Sequence, residues 1–190
     1  MPRAAARARA RELGLRGALF PWRTIRGDEA SAYYQAGTAQ YHLNADIAYA
    51  IRRYTDVRGE IGSLIETGAE ILVETARMWA DLGFYGDDGR FHIHGVTGPD
   101  EYTTVVNDNC YTNIMARFTM RYAAHVVEEL RQSHQSAYEA LVRRTGVTDD
   151  EVAQWHRACD AMYIPYDDQL GINPQDADFL KLEPWDFEST

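Results

Sequence analysis

The sequence has few cysteines, no long apolar run and no signal-like start, and each shortage excludes a class of protein. Its two cysteines, Cys110 and Cys159, cannot form a disulfide framework and do not have metal-ligand spacing. We therefore expect packing to stabilise the fold, with no metal and no organic cofactor. A transmembrane helix needs about 18 consecutive apolar residues, which this chain lacks, and no apolar signal segment follows the Ala/Arg-rich start. A cytoplasmic protein without a membrane partner is expected.

Positive charge is also scarce. The chain has 19 basic against 29 acidic residues and a formal net charge of −10. Sequence-independent binding to nucleic acid requires clustered Lys and Arg, so we expect no nucleic-acid partner. Apolar side chains, in contrast, make up 45% of the sequence and aromatic ones 12%, which is enough for a sizeable core.

Apolar residues recur three and four positions apart along most of the chain, which predicts an all-α fold. In residues 60–82 an apolar face lies opposite a second face that carries Glu66, Glu70 and Glu74. Another long helix is predicted over 109–131, with Tyr111 and Ile114 on its buried stripe. Shorter helices are predicted over 3–13, 38–53, 135–145 and 148–162, the last with a capping box of Thr148 and Glu151.

Three long loops, residues 17–31, 83–108 and 163–190, carry most of the combined aromatic and polar content. Their Gly, Pro and aromatic residues without low complexity favour ordered, functional loops. Within the middle loop, the alternation at 91–94 after a Gly-Asp-Asp-Gly turn predicts a short β-hairpin.

The most specific segment is HIHGVTGPDEYT, residues 92–103. Its acidic pair, Asp100 and Glu101, sits on a Gly-Pro turn among Tyr, His and Asn side chains. This is what a sugar site needs, since a carboxyl can protonate a leaving oxygen while amides and aromatics hold hydroxyls and ring faces. The residues equally suit a structural role, with Asp100 as a turn former and Asn107 or Asp108 as a helix N-cap.

Two further segments, GALFPWRTIRGDE at 17–29 and YHLNADI at 41–47, are weaker signals. Trp22 more often anchors a loop than binds a sugar, and His42 is more often a buried, hydrogen-bonded imidazole than a catalytic group. Asn44 and Asp46 suit helix capping as well as substrate binding.

Together, GALFPWRTIRGDEAS, YYQAGTAQYHLNADIAYAI, GAEILVETARMWADLGF and FHIHGVTGPDEYTTVVNDNCYTN resemble glycoside hydrolase family 65, the maltose, trehalose and kojibiose phosphorylases. The resemblance implies a catalytic (α/α)6 barrel whose loops surround a sugar pocket at one end. It also implies that Glu101, in the GPDEY motif, is the general acid. Glu101 would protonate the interglycosidic oxygen of an α-linked glucose disaccharide while inorganic phosphate attacks the anomeric carbon from the opposite face, giving β-glucose 1-phosphate.

The same resemblance implies which other residues surround the sugar and what partners the protein has. Tyr102 is expected beside Glu101, and the remaining substrate-binding candidates are Trp22, Glu29, His42, Asn44 and Asp46. Phosphate is a co-substrate, no cofactor is implied, and full-length relatives are expected to be homodimers.

Family members are several times longer, with a β-sandwich domain before the barrel and a small β domain after it. Residues 1–190 are therefore expected to be a partial barrel without those domains, and to be inactive alone. Three functions stay open: a disaccharide phosphorylase, a trehalase-like hydrolase of the same family, and a noncatalytic helical remnant. The sequence does not identify the disaccharide.

Overall fold

A computed structural model describes residues 2–25, 28–30, 35–100 and 104–188 of the chain. The described part is mainly helical, which confirms the predicted fold class. Its α-helices are α1 (Pro2–Glu12), α2 (Leu43–Arg58), α3 (Ala69–Leu82), α4 (Cys110–Ser133), α5 (Gln135–Thr145) and α6 (Asp149–Ala161). Short 3-10 helices occupy Gln35–Ala39 and Phe179–Lys181. No described helix is both long enough and apolar enough to cross a bilayer.

Two small antiparallel hairpins interrupt the helices. Strand β1 (Thr24–Ile25) pairs with β2 (Asp28–Glu29), a hairpin that the sequence did not predict. Strand β3 (Phe84–Tyr85) pairs with β4 (Phe91–His92), which is the predicted hairpin. Its second strand contacts the end of α6, because the backbone N–H of Tyr163 donates to the carbonyl of Phe91 at 2.9 Å.

Helix boundaries differ from prediction where distant backbone groups compete for hydrogen bonds. The helix predicted over 38–53 is divided into the 3-10 turn and α2. The carbonyl of Ala39 accepts from the backbone N–H of Thr97 at 3.0 Å. The N–H of Leu43 therefore donates to the carbonyl of Gln40 instead of to that of Ala39. In 60–82, a π-helical turn over Leu64–Gly68 precedes α3, so this stretch is not one regular helix. The capping box of Thr148 and Glu151 at α6 is confirmed.

The core lies between α3 and α4 and is covered by α5 and α6. Trp79 of α3 and Trp155 of α6 are its largest buried side chains. The stripe predicted for α4 is partly wrong, because Tyr111 and Ile114 are 40% and 38% exposed. The buried residues of α4 include Tyr122, Val126 and Leu130 together with five small ones: Thr112, Ala116, Thr119, Ala123 and Ala124.

Two acidic residues predicted opposite the apolar face of the long helix are buried. Glu70 and Glu74 are 6% and 7% exposed. Arg7 of α1 donates to both carboxylates at 3.0 Å, and Arg77 donates to Glu74 at 3.1 Å. Helix periodicity alone gives two faces, but it does not show that α1 covers the charged one.

Candidate active site

The amino-terminal ends of α2 and α4 meet beside the HIHGVTGPDEYT segment. The Tyr111 hydroxyl, in the first turn of α4, donates to the Asp46 carboxylate of α2 at 2.6 Å. Burial, together with this hydrogen bond, raises the pKa of Tyr111 to about 12. His42 lies edge-on to the Tyr111 ring at 6.0 Å, and its Nδ1 is 3.2 Å from the Thr97 carbonyl. Donation to a carbonyl requires the proton on Nδ1.

Residues 95–109, which we call the motif loop, are closed at their base by backbone pairing. Val96 and Val106 exchange N–H···O bonds of 3.0 and 2.7 Å. Val105 and Asp108 have φ angles of 59° and 51°, in the left-handed region that side-chain-bearing residues disfavour. Such conformations are held by surrounding contacts and tend to occur at functional sites.

The N-cap residue of α4 connects the motif loop to Gln175, late in the chain, through hydrogen bonds. The carboxamide oxygen of Asn109 accepts from the Thr112 backbone N–H and hydroxyl, both at 3.0 Å. Its Nδ2 donates to the Gln175 carbonyl at 3.1 Å, and the Gln175 side chain in turn donates to the Asp100 carboxylate. Asn109 is therefore the N-cap, which corrects the predicted cap at Asn107 or Asp108.

Gly98 of the Gly-Pro turn lies directly against the Asn109 carboxamide. A Cβ added to Gly98 would come within 2.5 Å of Nδ2 of Asn109. Any larger residue at this position would have to displace the Asn109 side chain from its capping position. The turn immediately precedes Glu101 in the sequence and is supported by the helix cap and by Gln175.

At the other side of the motif loop, Asp108 joins two histidines. Its Oδ2 is 2.9 Å from Nδ1 of His92 and 3.1 Å from Nε2 of His94, while Oδ1 accepts from the Ile93 N–H and from Asn113. Nε2 of His92 is also 3.1 Å from Asp88. Burial lowers the pKa of His92, but the hydrogen bonds to these two carboxylates outweigh it, so the pKa lies above its usual value.

The structure brings some of the predicted site residues together and separates others. Glu101 and Tyr102 lie outside the described residues. His42 and Asp46 converge on Tyr111 beside the motif loop, as described above. Asn44 is fully buried; it accepts from the Phe20 N–H at 2.8 Å and donates to the Tyr41 carbonyl at 3.0 Å.

Trp22 and Glu29 lie at the first hairpin. The Glu29 carboxylate accepts from the backbone N–H groups of Trp22 at 3.0 Å and Arg23 at 3.3 Å. The Arg23 guanidinium stacks 4.2 Å from the centre of the Trp22 ring. Asn44 connects α2 to the segment that leads into this hairpin, because it accepts from the N–H of Phe20, two residues before Trp22.

The sequence did not single out two residues that form hydrogen bonds in this region, Tyr111 and Gln175. Tyr111 was predicted to be buried in the helix stripe, and Gln175 was not singled out. The missed signal for Tyr111 is its position in the first turn of a helix that follows an Asn-Asp-Asn run, where side chains point toward the loops. Gln175 carries no comparable signal, since its contact with Asp100 spans 75 residues.

Comparison with known proteins places the chain among relatives of known family. The sequence profile of the glycosyl hydrolase family 65 central catalytic domain matches residues 3–190. An α,α-trehalose phosphorylase of Geobacillus stearothermophilus is 53% identical over 97% of this chain and 24% of its own length. A maltose phosphorylase of Bacillus subtilis is 34% identical over 93% of this chain and 22% of its own length.

A solved structure has the same fold. It is a candidate kojibiose phosphorylase from the human microbiome, 29% identical, which superposes over 100% of this chain and 28% of its own with a TM-score of 0.88. The chain thus spans about a quarter of the length of these relatives. Its helical arrangement is consistent with part of an (α/α)6 barrel.

Proposed function

Since the chain belongs to glycosyl hydrolase family 65, we propose that it supplies part of the catalytic domain of a disaccharide phosphorylase. The observation that carries the proposal is the intact GPDEY segment with its supports. Gly98 packs on the α4 cap, Asp100 is held by Gln175, and the Val96–Val106 pairing closes the loop base. The described residues on the two sides of Glu101 are thus held in place, which suits a group that must meet one glycosidic oxygen.

In the proposed reaction, Glu101 is the general acid. Its carboxyl proton passes to the interglycosidic oxygen as the bond from that oxygen to the anomeric carbon breaks. An oxygen of inorganic phosphate forms the new bond to the anomeric carbon from the opposite face, which gives β-glucose 1-phosphate and a free sugar. One protein carboxyl suffices, because phosphate is itself an anionic nucleophile and needs no general base to activate water.

We propose α,α-trehalose as the disaccharide. The support is the higher identity with the trehalose phosphorylase, 53%, than with the maltose phosphorylase, 34%. Asp46 is proposed to bind a sugar hydroxyl, because it is only half-buried and stands beside Tyr111 at the helix ends. Trp22 and Glu29 are proposed to line the same pocket. His42 and Asn44 are buried and hydrogen-bonded to backbone groups, so their proposed role is to position the surrounding segments.

The test is Glu101→Gln in the natural sequence context of this segment, assayed for glucose 1-phosphate formation from trehalose, maltose and kojibiose with and without phosphate. Removing a general acid lowers the rate about 10²–10⁴-fold. Glu139→Gln is the matched control, since Glu139 is an exposed residue of α5 away from the motif loop.

The proposal predicts phosphate-dependent cleavage of trehalose that Glu101→Gln abolishes and Glu139→Gln retains. Glucose release without phosphate would instead establish a hydrolase. Cleavage of maltose or kojibiose in preference to trehalose would refute the substrate assignment alone. Full activity in the Glu101→Gln variant would refute the role of the acid.

A further inference from the structure

Three potential metal ligands converge at the base of the motif loop. His92 and His94 are two residues apart in extended chain at the end of β4, and Asp108 approaches them from the residues before α4. One ligand atom from each of the three lies within 4.8 Å of the others. Within the described ranges, this is the one group of three or more His, Cys, Asp or Glu residues that meets this condition. The sequence expectation of no metal rested on the cysteine spacing and on the family resemblance, and this group contains no cysteine.

The spacing of these atoms suits a transition-metal ion. Ligands about 2.1 Å from a metal are separated by about 3.0 Å at a right angle and by about 3.4 Å at a tetrahedral angle. Oδ2 of Asp108 is 2.9 Å from Nδ1 of His92 and 3.1 Å from Nε2 of His94. An ion could therefore replace the two shared protons once the two imidazole nitrogens, which lie within 4.8 Å of each other, take up the separation of about 3.0–3.4 Å that these angles require.

Neighbouring groups already orient the three side chains as outer partners do in metal sites. The second oxygen of Asp108 is held by the Ile93 N–H at 3.2 Å and by Asn113 at 3.0 Å. Asp88 contacts the far nitrogen of His92, and the Phe84 ring packs edge-on against His94 at 4.8 Å. Asp108 itself is 3% exposed, whereas the His94 side chain is 42% exposed and leaves a route for an ion.

We propose that His92, His94 and Asp108 form a binding site for a divalent transition-metal ion, with Zn²⁺ as the representative ligand. Two imidazoles and one carboxylate favour Zn²⁺ over Mg²⁺ and Ca²⁺, which prefer all-oxygen sites. A bound ion would join β4 to the residues preceding α4 and so fix the base of the motif loop. The proposal does not depend on the reaction that the protein catalyses.

The experiment is calorimetric titration of the purified 190-residue chain with Zn²⁺ at pH 8, with Mg²⁺ as a second titrant. His94→Gln is the main variant, because the His94 side chain is partly exposed and its Nε2 contacts the Asp108 carboxylate. His125→Gln is the matched control, a histidine whose side chain is 61% exposed on α4 and 3.7 Å from Glu129. His92→Gln provides a second test of the site.

We expect one Zn²⁺ per chain, an affinity lowered about tenfold or more by His94→Gln and by His92→Gln, and no change with His125→Gln. Imidazole resonances in NMR spectra should shift for His92 and His94 on adding Zn²⁺. The proposal is overturned if Zn²⁺ does not bind, if His94→Gln leaves the affinity unchanged, or if His125→Gln weakens it equally. Mg²⁺ binding of equal strength would also contradict it.

Discussion

Replacing Arg77 with Met should destabilise the protein by breaking a buried charge network. Arg77 donates two hydrogen bonds of 2.8 Å to Glu151, one of 3.1 Å to Glu74 and one of 2.9 Å to the Thr145 carbonyl. Its side chain is 13% exposed, and that of Glu151 is 16% exposed. Methionine keeps much of the aliphatic packing but removes the charge and all four bonds.

Removing one partner of a buried ion pair costs about 3–5 kcal/mol. The lower end applies here, because Glu74 keeps Arg7 and Glu151 keeps the Thr148 N–H at 3.2 Å. We therefore expect a loss of about 3 kcal/mol in the free energy of unfolding. For a chain of this size that corresponds to a melting temperature lower by about 6–12 °C.

The assay is urea unfolding, followed by fluorescence of the buried tryptophans Trp79 and Trp155. Arg121→Met is the control, since Arg121 and its partner Asp160 are 58% and 81% exposed and 3.9 Å apart. That variant should change stability by less than about 0.5 kcal/mol. A loss below about 1 kcal/mol in Arg77→Met would refute the reasoning.

The pH dependence provides a second readout of the same network. Burial raises the pKa of Glu151, but the interactions with Arg77 and with the Thr148 N–H lower it by a larger amount. The pKa of Glu151 therefore lies below its ordinary value. A lowered native pKa stabilises the fold above the unfolded-state value, and this stability is lost as pH falls through the native value. The stability difference between wild type and Arg77→Met should therefore narrow below about pH 4. A constant difference down to pH 3 would contradict the assignment.

Two smaller changes test the turn and the α6 cap. Gly98→Ala places a Cβ 2.5 Å from Asn109 and should cost about 1–3 kcal/mol in urea unfolding, whereas Gly62→Ala, with nothing within 4 Å, should cost nothing or stabilise slightly. Thr148→Ala removes the capping box and should lower the unfolding free energy by about 1 kcal/mol; an unchanged melting temperature would show that the cap contributes nothing.

Local signals in the sequence predict the helices well where neighbouring residues settle the outcome. The Thr148–Glu151 capping box and the bounds of α5 depend on residues a few positions apart, and both agree with the structure. Predictions that depend on distant partners are less accurate. The divided helix near Leu43 reflects Thr97 bonding to Ala39, and burial of Glu70 reflects its contact with Arg7. Neither partner is visible in a window of local periodicity.

The candidate site divides in the same way. The GPDEY motif can be recognised in the sequence because its residues are adjacent, and His42 and Asp46 were identified from a second short motif. The contacts that hold the motif in place cannot be recognised from the sequence, since Gln175 and Asp100 are 75 positions apart. The His92, His94 and Asp108 group had a partial signal, two histidines at strand alternation, but its third member depends on the left-handed backbone at Asp108.

The contact between Gln175 and the α4 cap has a consequence for synthesis of the chain. Asn109 can cap α4 as soon as Thr112 is available, because that bond is local. The hydrogen bonds to the Asp100 carboxylate and from the Cys110 N–H both need Gln175, which the ribosome adds only after α4, α5 and α6. During translation these helices are therefore synthesised before the hydrogen bonds of Gln175 can form. The contacts that Gln175 makes with the turn carrying the proposed acid can therefore form only after α4, α5 and α6 have been synthesised.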